Sequence, residues 1–176
     1  NKIQMIFFII TLIFIITNIY ALTKKKLNLF LCSSLIYLTL INISRTESHD
    51  LSNYLDIFIG IKDLSFNEAL NYQEWYAIEG GFTIYSFILA KLGVSPFYYK
   101  LITIILIYTL NILTVINVKG YDTRQKFLIA SLLLFNPLYF SISLHLIRQI
   151  LACSLCFYII TTKRKLFCIF TIFIHA

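Results

Sequence analysis

The sequence predicts an all-α fold, a polytopic transmembrane helical bundle with a short extracytoplasmic helical segment. Three observations lead there. Of 176 residues, 59% are hydrophobic and 13% charged, where a soluble domain runs roughly 45–50% apolar and about 25% charged. Apolar runs of 18 to 20 residues recur along the chain, long enough for a hydrocarbon core of about 30 Å. Charge is also segregated. Between Glu47 and Glu79 lie seven acids and one base, Lys62, a net of −6; elsewhere fourteen Lys and Arg face Asp122 alone, a net of +13. With a mean hydropathy of +0.82, this composition excludes a disordered tail, a collagen-like repeat and a water-soluble enzyme. It also excludes a nucleic-acid partner, because the bases are scattered between apolar runs and do not line one polar face.

The elements follow in order. Ile3 to Leu22 is a 20-residue apolar run, followed by Lys24, Lys25 and Lys26. A secretory signal carries its charge before the run and a small-residue cleavage site after it, so an uncleaved first span is expected. Leu27 to Ser44 is the second. The positive-inside rule assigns the lysine triplet to the cytoplasm and hence the segment 45–81 to the outer side, as an insertion in a single transmembrane domain covering 1–176. Within it, Asp50 precedes Leu51, Tyr54, Leu55 and Phe58, the spacing of an amphipathic helix that Asp50 can cap. Ser65-Phe66-Asn67-Glu68 matches a capping box, with Leu64 and Ala69 placed as a staple. It opens a helix expected from Phe66 to about Ile78, ended by Glu79-Gly80-Gly81. Tyr72, Trp75 and Tyr76 suit a membrane interface.

Phe82 to Leu92 is an 11-residue apolar stretch broken by Gly93-Val94-Ser95-Pro96. Leu101 to Val118 is a full span, Lys119 to Lys126 a basic loop, and Phe127 to Thr162 has the length of two 18-residue spans. Lys163-Arg164-Lys165 follows. If both basic loops are cytoplasmic, 127–162 is a hairpin with its tip near Ser141 to Arg148 outside, and Phe82–Leu92 is re-entrant. The charge rule favours this over a tilted span. The last apolar run, Leu166 to Ala176, has 11 residues, short of a span, so the chain is expected to be cut at its C-terminus. Asn1 is likewise not an initiator residue.

Charges at membrane depth are functional candidates by default. His145 and Arg148 share a helix face, with Gln149 beside them. The structural alternatives are a snorkelling Arg148 and a His145 bonded to a backbone carbonyl. Arg45 can anchor at the interface, Asp50 can be a cap only, Glu79 a solvated loop end, and His175 a buried neutral side chain. The cysteines, Cys32, Cys153, Cys156 and Cys168, all lie in apolar segments. Cys153-x-x-Cys156 has no second pair, so small packing residues are expected there, with no metal and no cofactor. No phosphate-binding glycine loop, HExxH or G-x-S-x-G occurs.

Taken together, Arg45, Asp50 and Tyr54 after two spans, then Glu79-Gly80-Gly81-Phe82, then Arg148-Gln149 with Ala152, then His175 after a basic stretch, resemble the EpsG family of Wzy-like polysaccharide polymerases. The resemblance covers most of this chain and about the N-terminal half of a typical member. Where the family continues His-Phe-Ser, His175 is followed by Ala176. The resemblance implies a multi-pass protein of the bacterial cytoplasmic membrane that polymerises undecaprenyl-diphosphate-linked oligosaccharide repeat units. Membrane lipid, a chain-length regulator and a flippase of the same pathway would be its surroundings. The residues suit that chemistry. A diphosphate leaving group needs fixed positive charge, for which Arg45 and Arg148 are candidates. An acceptor hydroxyl needs a base, for which Asp50, Glu79 and His145 are candidates in falling order. Tyr54, Gln149 and His175 would bind substrate. A transporter or flippase for lipid-linked saccharides is the main rival; a related ligase and a non-catalytic scaffold are the others.

Overall fold

The computed structural model describes residues 2–45, 49–72, 80–137 and 147–162, with 2, 3, 49, 50 and 80 described by backbone alone. Among the described residues every element is helical: α1 (Lys2–Thr23), α2 (Leu27–Ser44), α3 (His49–Gly60), α4 (Phe66–Asn71), α5 (Gly80–Lys91), α6 (Pro96–Asn117), α7 (Thr123–Leu134) and α8 (Ile147–Thr162). Three of these are long and apolar enough to cross a membrane: Gln4–Thr23, Leu27–Ser44 and Pro96–Asn117. The chain is a multi-pass, all-α membrane protein.

α6 is the axis of the bundle. It packs along α8 and α2 and touches α7 and α3, whereas α1 packs chiefly on α2. The buried share of each span follows that order inversely outward, 56% for α6, 33% for α2 and 11% for α1. In lipid, apolar surface gains nothing by turning inward, so helix association leans on close packing and interhelical hydrogen bonds. Four of the interfaces have such a link. Ser33 Oγ donates to Asn18 Oδ1 at 3.2 Å between α2 and α1, and Asn42 Nδ2 donates to the Tyr108 hydroxyl at 2.7 Å between α2 and α6. Asn111 Nδ2 donates to Ser154 Oγ at 3.2 Å between α6 and α8. Tyr85 with Thr103 at 2.8 Å, and Ser86 with Tyr99 at 2.9 Å, join α5 to α6.

The two ends of the bundle carry opposite character. Lys100 Nζ donates to the Arg45 carbonyl at 3.3 Å, which brings the end of α2 to the start of α6. At the other end, Phe30 early in α2 packs edge-on against Phe127 early in α7, centroids 5.2 Å apart. The basic stretches 24–26 and 119–126 therefore share one end, and α3, which carries Asp56, sits at the other. An 18-residue α2 separates them by about 27 Å. This is the separation that the positive-inside reading requires.

α3 lies over the head of α6. Leu51, Leu55, Phe58 and Ile61 are buried, and Phe58 stacks on Tyr99 at 4.2 Å. The predicted stripe is thus the packed face. The backbone of Asp50 is helical, within α3. The capping box is present: Glu68 N–H donates to Ser65 Oγ at 3.4 Å and Ser65 N–H to Glu68 Oε2 at 2.8 Å.

Four boundaries differ from expectation. α4 ends at Asn71 instead of near Ile78; Tyr72 folds back so that its ring tip closes on Gly60, where any Cβ would collide. Gly80 and Gly81, expected to end a helix, are themselves helical in α5, and 73–79 lie outside the described residues. α6 begins at Pro96, five residues before the expected Leu101, with Ser95 at the N-cap position and Pro96 in the first turn, the place where a missing N–H costs nothing. α7 begins at Thr123 inside the expected basic loop, because Asp122 and Gln125 form a second capping box. The 36-residue run from Phe127 divides accordingly. α7 stops short of Asn136-Pro137, and α8 is helical throughout its described residues, Ile147–Thr162. The described part of α5 has 12 residues and covers about 18 Å.

Candidate functional site

The sequence singles out eight side chains, and the structure describes four of them. Glu79, His145 and His175 lie outside the described residues, as do Trp75, Tyr76 and Cys168, and of Asp50 only the backbone is described. Arg45, Tyr54, Arg148 and Gln149 are all half-buried.

Arg45 terminates α2 in an extended conformation, φ −71° and ψ 144°. Its carbonyl meets the ammonium of Lys100, which is 5% exposed. Burying an ammonium is expensive unless it is hydrogen-bonded, so this cation is held by the fold and not left to wave at the surface. Lys100 was not among the sequence candidates. It reads as a flank of the span if the helix starts at Leu101; the Ser95-Pro96 start signal moves it to the fifth position of α6. From there a buried polar stripe continues down the helix through Thr103, Asn111 and Thr114, with Tyr99 and Tyr108 beside it.

Tyr54 sits one turn beyond Asp50 on α3. Its ring packs edge-on against Phe82 at 5.5 Å, and Phe82 leads on to Tyr85 at 5.9 Å and Tyr85 to Tyr99 at 6.0 Å. An aromatic floor thus runs beneath α3, continuous with the head of α6 that carries Lys100. Arg148 and Gln149 enter from another element, the first turn of α8, which packs on α6. The Nε and Nη1 atoms of Arg148 are buried. The structure therefore gathers the Arg45 backbone, Lys100, α3 and the aromatic floor at one end of the bundle, with Arg148 delivered to the flank of the same central helix.

In the same segment, α4 is fixed to α5. Lys91 Nζ donates to the Lys62 carbonyl at 3.0 Å, and Phe66 packs on Phe87 at 5.5 Å. The Glu68 carboxyl is held below the ordinary carboxylate range by its hydrogen bonds from Ser65, side chain first and then backbone, with the charge of Lys91 adding to them. Glu68 is thus a structural carboxylate, committed to its cap. Asp56 and Asp63 are exposed. Cys153 and Cys156 are free thiols one turn apart on α8.

Chemically, this end can hold an anion. It places the buried Lys100 beside a packed aromatic cluster of Tyr54, Phe82, Tyr85 and Tyr99. A protein-family model described as the EpsG family matches residues 38–176. No curated protein and no solved structure matches the chain.

Proposed function

The chain belongs to the EpsG family, and from that premise we propose that it polymerises undecaprenyl-diphosphate-linked oligosaccharide repeat units at the outer face of the bacterial cytoplasmic membrane. Family membership supports a role in exopolysaccharide biosynthesis. The finer reading is supported chiefly by one observation, the buried Lys100 ammonium on the Arg45 carbonyl at the end of the bundle that bears the acidic segment.

In this reaction the acceptor sugar hydroxyl attacks the anomeric carbon of the donor. The bond from that carbon to the diphosphate oxygen breaks, and the diphosphate leaves with the bonding pair. The hydroxyl proton passes to a base, with Asp50 first among the candidates, then Glu79 and His145. Arg45, Lys100 and Arg148 supply positive charge where it develops on the leaving diphosphate, a stabilisation worth most in a low-dielectric setting. Tyr54, half-buried on α3, offers the sugar rings a surface. The energy for transfer comes from the diphosphate itself, so neither a nucleotide sugar nor a metal ion enters the scheme. Gln149 and His175 are further substrate-binding candidates, and a chain-length regulator and a flippase are the expected neighbours.

The experiment is complementation of a strain lacking the polymerase with the full-length protein. Arg148→Ala and Asp50→Ala, expressed at normal level, are expected to leave single repeat units in place of polymer. Normal polymer length from both would overturn the reading. Lipid-linked units accumulating on the inner face would instead indicate a transporter.

A further inference from the structure

Two helices in this chain end in the same turn. At the close of α5, Gly93 N–H bonds the Ala90 carbonyl at 3.0 Å and Val94 N–H the Leu89 carbonyl at 3.2 Å, with Gly93 at φ 74°. At the close of α1, Lys25 N–H bonds the Leu22 carbonyl at 3.2 Å and Lys26 N–H the Ala21 carbonyl at 2.8 Å, with Lys25 at φ 53°. The left-handed position of this turn favours glycine, since a Cβ crowds the backbone there. Lys25 is the one non-glycine residue at positive φ among the described residues. Glycine would make the turn more easily, and local strain of this kind is a pointer to function.

Lys25 lines a cavity of about 570 Å³, together with Leu22, Asp122, Thr123, Arg124 and Phe127. Several neighbours are already engaged. Lys26 Nζ lies 5.3 Å over the Tyr20 ring, Lys126 Nζ donates to the Ile116 carbonyl at 2.8 Å, and the Asp122 carboxylate accepts from Gln125 N–H at 2.8 Å. Among the described residues the side chains of Lys25 and Arg124 make no hydrogen bond or ion pair. The cavity thus offers two uncommitted cations over an apolar wall of Leu22 and Phe127. It opens beside α1, whose outward face is apolar, with Ile19 and Leu22 about half exposed. A free phosphate would use the cations and have no use for the wall; a phospholipid uses both. The geometry points to a binding site for the phosphate headgroup of an anionic phospholipid of the cytoplasmic leaflet, its acyl chains lying along α1. Basic pockets between membrane helices on that side attract such headgroups. This site is at the opposite end of the bundle from the polymerase candidates and stands or falls independently of them.

The test is native mass spectrometry of the full chain in neutral detergent, titrated with phosphatidylglycerol or phosphatidylcholine. Phosphatidylglycerol is expected to bind about 25-fold more tightly, roughly fivefold per cation, with the preference shrinking as salt rises. Lys25→Gln or Arg124→Gln alone loses about fivefold of that preference, and the pair abolishes it. Lys25→Gly separates charge from turn: it keeps or raises the thermal midpoint while losing the same share of preference. Equal binding of the two lipids, or an undiminished preference in the double variant, would overturn the site. Inorganic phosphate displacing phosphatidylglycerol at equal concentration would overturn it in favour of a free-anion site.

Discussion

Lys100→Met separates a structural from a functional role for the buried cation. Methionine keeps the length and the apolar stem but removes the charge. The structure sets two opposing stability terms. The ammonium donates to the Arg45 carbonyl at 3.3 Å, and a charge-assisted bond contributes about 1.5–3 kcal/mol. Against it stands the desolvation of an ammonium that is 5% exposed, a cost of several kcal/mol, which the variant relieves. These two terms nearly cancel, and the thermal midpoint of the variant reads what the other contacts of Lys100 add. Transfer behaves differently. Loss of one fixed positive group facing a leaving diphosphate lowers the rate by about 100- to 1,000-fold. The assay pairs a thermal midpoint in detergent with product ladders from a defined lipid-diphosphate oligosaccharide, and Lys100→Arg should recover part of the lost rate. A Met variant that is folded and polymerises within about threefold of the parent would refute the role assigned to Lys100. So would a loss of rate that merely tracks loss of fold.

Other outcomes follow from the same geometry. Asn42→Leu removes the 2.7 Å bond to Tyr108 and should cost about 0.6–1.7 kcal/mol in detergent unfolding. A double-mutant cycle with Tyr108→Phe should show coupling of that size, and zero coupling would discount the link. Because Glu68 titrates below its unfolded value near 4.5, the folded chain binds that proton less readily than the unfolded one. Its contribution is complete above that pH and is lost as pH falls through the lowered folded value. The protection factors of amides 66–71, with the intrinsic pH dependence of exchange divided out, should therefore fall on acidification, and Ser65→Ala should flatten the dependence; protection that falls at high pH instead would reverse the sign. Asp63→Cys should react with an impermeant maleimide from outside the cell, and Lys119→Cys only after permeabilisation. The same side for both would break the topology.

Much of the architecture was legible because it rests on local signals. The two N-terminal spans needed only length and hydropathy. The packed face of α3 needed only the spacing of Leu51, Tyr54, Leu55 and Phe58, and the Ser65–Glu68 box only four residues. Other features were misread where two signals competed. Asp122 and Gln125 form the same kind of box, but the surrounding Lys and Arg made the stretch look like a loop. Ser95-Pro96 reads as a break and is also a helix start, and that ambiguity hides Lys100 inside the span. The end of α4 depends on Tyr72 meeting Gly60, a contact twelve residues apart that no periodicity encodes. The site was less legible than the fold for a physical reason. Arg45, Tyr54 and Arg148 are visible as polar groups at membrane depth, yet their joint placement depends on how α2, α3 and α8 pack on α6. Interhelical pairs such as Asn42–Tyr108 and Asn111–Ser154 set that packing, and they are separated by 66 and 43 positions.

The central claim is glycosyl transfer from one lipid diphosphate to the sugar of another. Its most direct test supplies the purified full-length protein with a single defined undecaprenyl-diphosphate oligosaccharide in lipid vesicles, without nucleotide sugars. The account predicts a ladder of products with one undecaprenyl diphosphate released per repeat unit added. Intact substrate after prolonged incubation with folded protein would contradict it.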